Sequence, residues 1–377
     1  MPPKQTTVAP DSHSADRPSG QAIPERASAK DDRVSLRTPQ DVSGGLGAFT
    51  ARARHLHLAR FSGLYLWALI ILVFAITIPN TFLTSTTADN IAGTQAITAI
   101  VAIGLLGALS AGSFDLSVGN NLGLGAVICS WLTVKGGVNP ALGVVLTILA
   151  GVVIGGVNAA LVVGVGIDSF IVTLGVSSIL LALTELISQD QFIGPLPTSL
   201  QNFVNWRFLG LDGVVWYAIA FAVVAWIVLE HTAGGRRTAA TGANLDAARL
   251  SGVPTTRIRV VTLVVSATLA SLAGALVAAK TGEVSSTIGA PYLLPAFSAC
   301  FLGTTQLKPG RFNVWGTILA LLLLGTGVAG LQLIGGELWI SDMFTGVALV
   351  AAVTFAVLGQ KRRVARMKRQ TEAESAI

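Results

Sequence analysis

Charge is scarce in this sequence. Only 12% of its 377 residues are Asp, Glu, Lys or Arg, about half the density of an ordinary soluble domain. Between Arg60 and Lys135 the only charged side chains are Asp89 and Asp115. A chain so poor in charge cannot clothe a water-facing surface over most of its length, which argues against a soluble globular fold. Cysteine is scarce too. Cys129 and Cys300 lie far apart in apolar segments, with no Cys-x-x-Cys spacing and no Cys/His cluster. They read as small hydrophobes, and their spacing supplies no metal site. No Gly-Lys dipeptide occurs anywhere, so the phosphate loop GxxxxGK[ST] is missing and this chain does not hydrolyse ATP by that route. His13, His55, His57 and His231 lie outside the apolar runs and build no Ser/His/Asp constellation. Neither catalysis nor a cofactor bound by this chain is expected.

Apolar residues, by contrast, make up 52% of the chain, alongside 41 glycines. Runs of about 20 apolar residues span a bilayer as helices, and glycine is more frequent in membrane helices than in soluble ones. The alternating segments of a membrane β-barrel are missing. The expected fold is therefore all-α and polytopic. Ten spans are predicted, near 61–80, 90–111, 116–134, 140–165, 169–187, 213–230, 257–279, 291–305, 313–334 and 340–360. The eighth is short and interrupted by Pro291 and Pro295. Residues 1–48, rich in Ser, Pro, Thr and mixed charge, read as a disordered tail without a signal peptide. A transmembrane domain over 49–363 and a short tail over 364–377 complete the expected organisation.

Positive charge orients these spans. With the N-terminus in the cytoplasm, the inner segments hold sixteen Lys and Arg, against Lys135, Arg207 and Lys280 outside. Ten spans with both ends inside follow. The +6 net charge thus has a topological cause and calls for no nucleic acid. A weak echo at an offset of 171 pairs Gly156-Val157 with Gly327-Val328 and Gly175-Val176 with Gly346-Val347. Inverted repeats of this kind are common in transporters.

Two stretches carry chemistry. In "SAGSFDLSVGNN", residues 110–121, Asp115 falls between two apolar runs. As a helix cap it accepts from the amides of Ser117 and Val118. Alternatively, Asp115, Ser117, Asn120 and Asn121 border a polar passage, since ionisable groups in a bilayer face protein or water. Asn158, within a span, suits an interhelical hydrogen bond worth on the order of 0.6–2 kcal/mol, and Gly151-x-x-x-Gly155 suits close helix packing within the subunit. The second stretch is "GANLDAARLSGV", residues 242–253. Asn244 is a good N-cap, Asp246 suits a first turn, and Gly252 is placed to end a helix in the left-handed conformation. A helix near 245–251 is expected, either as a passive connector at the membrane surface or as a docking element for a partner.

Four segments together resemble one family. "SFDLSVG" (113–119), "GGVNAALVVGVGIDSFIVTLGV" (155–176), "GANLDAARLSGV" (242–253) and "FLGTTQLKPGRFNVWGT" (301–317) are similar to the permease of bacterial ABC importers for simple sugars, the ribose, xylose and arabinose type. The resemblance covers residues 64–360 and implies the ABC importer permease fold. Within it, Asp246-Ala247-Ala248 and Gly252 resemble the E-A-A-x-x-x-G loop that docks on ATPase subunits, with Asp in place of Glu. It implies an ATPase-coupling helix made of Gly242, Asn244, Asp246, Ala247, Ala248, Arg249, Leu250 and Gly252, and a pathway near Asp115, Ser117, Asn120, Asn121 and Asn158. It further implies cytoplasmic ATP-binding partners that hold ATP and Mg, an extracytoplasmic sugar-binding protein, a second permease copy and the bacterial plasma membrane. The chain departs from the pattern at Ser113-Phe114, Leu294-Pro295 and Lys308-Pro309-Gly310, which bears on substrate rather than family. The alternatives are the same importer with another solute, such as a branched-chain amino acid or a signalling furanose, or an ion-coupled secondary transporter.

Overall fold

A computed structural model of the chain describes residues 62–375. The tail expected over residues 1–48, Arg52, Arg54 and Arg60 lie outside the described residues. What is described is almost wholly helical. In chain order the helices are α1 (Ser62–Thr77), α2 (Pro79–Phe82), α3 (Ser85–Ser110), α4 (Val118–Ser130), α5 (Pro140–Ala159), α6 (Ser169–Ser188), α7 (Thr198–Asn205), α8 (Gly213–Trp226), α9 (Ala233–Ala243), α10 (Leu245–Leu250), α11 (Thr255–Thr281), α12 (Ala290–Gly303), α13 (Val314–Leu333) and α14 (Leu338–Ser375). Helices α4, α5 and α8 continue into π-helical turns over Trp131–Lys135, Ala160–Val165 and Ile227–His231.

Each of the ten predicted apolar segments falls on one of these helices. Six of them are long and apolar enough to cross a membrane: Ser85–Ser110, Pro140–Val165, Ser169–Ser188, Gly213–His231, Thr255–Thr281 and Val314–Leu333. Gly63–Thr77, Ala290–Gly303 and Trp339–Phe355 are apolar but shorter. Helix α12 carries Pro295 within it, and α14 runs unbroken past residue 363 to Ser375.

Helix α11 is the axis of the packing, with its longest contacts to α3, α4 and α5. Its inward face is built from Ser266, Ala267, Ala270, Ser271, Ala273, Gly274 and Ala278, all buried. Lipid is as apolar as leucine, so helices in a membrane associate through close packing, which small residues permit. The closeness is measurable. A Cβ added to Gly274 would lie 2.2 Å from the Leu122 carbonyl oxygen, and one on Gly155 would lie 2.6 Å from Val264 Cα. Gly151 meets Ser271 in the same way, at 2.6 Å from its hydroxyl. The Gly151-x-x-x-Gly155 pair therefore packs α5 on α11 inside the subunit. Cys129 and Cys300 are free and buried, as small hydrophobes.

A two-residue hairpin, β1 (Arg207–Phe208) paired with β2 (Leu211–Asp212), turns at Leu209 and Gly210 with φ of 53° and 82°. Positive φ at both positions belongs to the type I′ turn that matches strand twist. Ion pairs fasten the hairpin to the bundle: Arg207 reaches Asp89 of α3 and Asp212, each at 3.2 Å, while Lys280 of α11 reaches Asp212 at 3.4 Å.

Candidate functional site: a capped loop helix and a polar helix break

The loop between α8 and α11 is folded into two helices. Thr232 caps the first, accepting from the Gly235 amide at 3.3 Å. Asn244, extended at φ −159° and ψ 108°, ends α9 and caps α10, its Oδ1 accepting from the Ala247 amide at 2.9 Å. Asp246 lies in the first turn, where the helix dipole favours a negative charge. At the other end Gly252 sits at φ 77°. Its amide donates to the Arg249 carbonyl at 2.9 Å, and the Val253 amide donates to the Ala248 carbonyl at 3.0 Å. These two bonds make a Schellman motif, which needs a left-handed residue at its turn. Start, first turn and end of α10 all lie where local chemistry places them.

Within α10, Ala248 is buried against the bundle while Leu250 is 91% exposed. Arg249 turns back on its own chain, its Nε donating to Thr255 Oγ1 at 3.1 Å. Gly242, expected on the same helix, instead closes α9. A Cβ there would lie 2.2 Å from the Ser110 carbonyl oxygen, so this residue joins the loop to the end of α3.

Helix α3 ends just there, with a second Schellman motif. Gly112 has φ 77°, its amide donating to Leu109 at 3.0 Å and the Ser113 amide to Ala108 at 2.9 Å. Asp115 follows, fully buried. Its Oδ1 accepts from both the amide and the hydroxyl of Ser117, at 3.1 and 2.5 Å. The expected bond from the Val118 amide is missing. Ser117 occupies the N-cap position with helical angles and no side-chain cap bond; its hydroxyl donates to the carboxylate and accepts from Asn158 instead. Asp115 therefore braces a turn ahead of α4 and is not its N-cap.

The polar residues singled out in sequence come together around this break. Asn158 of α5 donates to Ser117 Oγ at 3.0 Å, the interhelical bond expected of it. Asn121 donates to the Ala267 carbonyl at 2.8 Å and accepts from Ser271 Oγ at 2.7 Å, fixing α4 to α11. Asn120 donates to the carbonyl and hydroxyl of Ser177 at 3.0 and 2.9 Å, fixing α4 to α6. Asp115, Ser117, Asn121 and Asn158 are closed off inside the chain, and only Asn120 is partly exposed.

Other members of this network were not visible in sequence. The Phe114 amide donates to Ser169 Oγ and the Leu116 amide to Thr173 Oγ1, each at 3.0 Å. Arg259 Nε donates to Ser113 Oγ at 3.1 Å. Ser266 of α11 is buried with its hydroxyl unpartnered, as are Asp115 Oδ2 and Asn158 Oδ1. A hydroxyl within a helix usually bonds its own backbone, as Thr173 does to Ser169 at 2.8 Å, so its second, long-range partner leaves no local signal. No group of three or more metal-ligating side chains gathers among the described residues.

Apolar helices long enough to cross a bilayer, packed around an interior polar seam and joined by a loop that holds a capped helix, mark a multi-pass membrane protein. Comparison with known proteins narrows the class. Residues 87–353 match the family described as "Branched-chain amino acid transport system / permease component", and the chain belongs to that family. It is 32% identical over 288 residues to the ribose import permease protein RbsC of Bacillus subtilis (strain 168), covering 76% of this chain and 89% of that one. It is 30% identical over 312 residues to the L-arabinose transport system permease protein AraH of Escherichia coli (strain K12), covering 81% and 92%. An autoinducer 2 import system permease protein, LsrD of Yersinia enterocolitica, is 30% identical over 260 residues, 67% of this chain and 78% of that one. No solved structure matches. The chain is thus a permease subunit of an ABC importer and not an enzyme, with the ATPase on separate subunits.

Proposed function

We propose that this chain forms the translocation pathway of an ATP-driven importer for a monosaccharide or related polyol. The relatives named for ribose and arabinose cover most of the chain, whereas branched-chain amino acids enter only through the family's description. On this reading the ten apolar helices are ten membrane crossings in the bacterial plasma membrane. Both termini and the α9–α10 loop face the cytoplasm, and two copies of the chain enclose the pore. The weak 171-residue echo is then an inverted repeat, and residues 49–363 form the permease domain. ATP and Mg are held by partner subunits that dock on α10. Asp115, Ser117, Asn120, Asn121 and Asn158 border the pathway from within the wall of the subunit, where their bonds hold α4 to α5, α6 and α11. Of the carboxylates an ion-coupled carrier could use, Asp89 is taken up by an ion pair with Arg207 and Asp168 by capping α6 through the Phe170 amide at 2.9 Å.

One observation carries the docking assignment: α10 is fixed at both ends by its own caps, yet it presents Leu250 91% exposed. A rigid element with an uncovered apolar tip suits a cleft on another protein. The test replaces Ala247, exposed on the same helix, with Trp. Membrane levels should stay normal while co-purification with the cognate ATPase is lost. A variant that assembles and imports like the parent would sink the assignment. Substrate class is tested separately, by thermal shift of the cognate binding protein against ribose, arabinose, xylose, polyols and branched-chain amino acids.

A further inference from the structure

The chain leaves α3 through a break, residues 111–117, that touches the chain on both sides of α10. On one side, Gly242 at the end of α9 meets Ser110 and Gly112 backbone to backbone; an added Cβ would lie 2.2 Å from the Ser110 oxygen and 3.0 Å from the Gly112 nitrogen. On the other side, Arg259, near the start of α11, donates to Ser113 at 3.1 Å. From the break, bonds run to three further helices. Phe114 and Leu116 are held by Ser169 and Thr173 of α6. Ser117 is held by Asn158 of α5, and it begins α4. The loop is therefore one contact away from the break, and the break is one bond away from α5 and α6.

We infer that Gly242, Arg259 and Ser113 are positioning residues that transmit movement of the docking helix to the helix break at Asp115, and through it to α5 and α6. The inference rests on the docking assignment of α10 and deepens it. Three features favour transmission over plain packing. The Gly242 contact is backbone against backbone, so displacement of α9 has no flexible side chain to absorb it. Arg259 and Gly242 hold the same short segment from the two sides of α10, so moving α10 turns the segment rather than merely releasing it. Lastly, Asp115 Oδ2, Asn158 Oδ1 and Ser266 Oγ are buried without partners. An unsatisfied buried polar atom is costly, so the break holds hydrogen-bonding capacity that its present bonds to Ser117 leave unused. Coupling between distant sites needs an element that can exchange one set of bonds for another, and unused capacity of this kind permits such an exchange.

The experiment uses the full complex of this chain with its cognate ATPase and binding protein in proteoliposomes. In Gly242→Ala the α9 and α3 backbones must separate. The complex should still be recovered with its ATPase, while substrate imported per ATP hydrolysed falls by about tenfold or more, within what overpacking of a tight contact produces. Ser113→Ala and Arg259→Gln should each lower the same ratio, and the double variant should be no worse than the poorer single, as for two ends of one bond. Gly156→Ala, whose Cβ would meet nothing within 4 Å, should behave as the parent. Parental coupling in Gly242→Ala overturns the inference. So does loss of the ATPase from that variant, because the contact then merely supports the docking loop. If Gly242→Ala fails to insert, the Ser113 and Arg259 pair decides: additive losses, or none, overturn the inference. Failure of the docking assignment gives a different result, namely Ala247→Trp complexes that assemble and import normally.

Discussion

Gly252 offers a direct test of whether the fixed end of α10 matters. Its φ of 77° lies in the left-handed region, and an added Cβ would meet nothing within 4 Å. Any substitution effect therefore acts through the backbone and not through packing. A residue with a Cβ pays roughly 1–2 kcal/mol in that conformation. The alternative is to open the cap, which forfeits the Gly252–Arg249 and Val253–Ala248 bonds of 2.9 and 3.0 Å, each worth about 0.5–1.5 kcal/mol net. The two routes cost about the same, so Gly252→Ala should disfavour the capped helix by about 1–2 kcal/mol. If only the capped form docks, apparent affinity falls with its population, by up to about 5–30-fold. Titrating the purified ATPase onto the detergent-solubilised chain measures this. Gly252→Ala should bind about 5–30-fold more weakly and Gly252→Val at least as weakly. Gly252→Asn should stay within about threefold of the parent, because Asn tolerates the left-handed region. Equal affinity for the parent, Ala and Val forms, or an Asn form as weak as Val, would refute the reasoning.

Topology is checked by single cysteines at Ser199, Ser286 and Thr371 in intact cells. Because Cys129 and Cys300 are buried, an impermeant thiol reagent should label the first two positions and spare the third. Labelling at Thr371 but not at Ser199 would reverse the orientation. Gly274→Ala places a Cβ 2.2 Å from the Leu122 carbonyl and should destabilise the bundle by about 1–3 kcal/mol, seen as a lower apparent melting temperature in detergent, whereas Gly156→Ala should melt no lower than the parent. Asp115→Asn should retain transport, since its Oδ1 can still accept from the Ser117 amide and hydroxyl. Asp115→Leu strands that buried amide at about 1–3 kcal/mol and should lose folded protein or uptake; an Asn form that folds but does not transport would show that the charge itself is needed.

What could be seen in the sequence was what local chemistry decides. Apolar runs located the helices, and α10 was legible to within a residue at its end because Asn244, Asp246 and Gly252 act within one or two turns of themselves. Asp115 was half legible. Its position before a helix start suggested a cap, but Ser117 has both an amide and a hydroxyl within reach, and the hydroxyl decided the geometry. Helix α9 was hidden by Gly234-Gly235, a poor helix sequence. The structure shows why a glycine is tolerated there: a Cβ on Gly235 would lie 2.0 Å from the Leu229 carbonyl oxygen. The hairpin at 207–212 lacked the Asn-Gly signal, since Leu209 takes the positive φ that Asn usually takes. The remaining misses are long-range. Ser169, Thr173 and Ser266 look like any helical hydroxyls until the break at Asp115 is folded against them.

The interior contains two kinds of contact with different mechanical properties. Along α11, Gly274, Gly151 and Gly155 bring helices to backbone distance over several turns. Packed contacts of this kind resist both separation and sliding, since shifting one helix drives a Cβ or carbonyl into its neighbour. At the break, by contrast, a few hydrogen bonds tie Ser117 to Asp115 and Asn158, and the Phe114 and Leu116 amides to Ser169 and Thr173, while Asp115 Oδ2 and Asn158 Oδ1 stay unpartnered. One such bond exchanged for another costs little net free energy. The α4–α5–α11 core should therefore move as a body during transport, with angular change concentrated where α3 hands over to α4. Gly242 is the point at which the α9–α10 loop touches that junction.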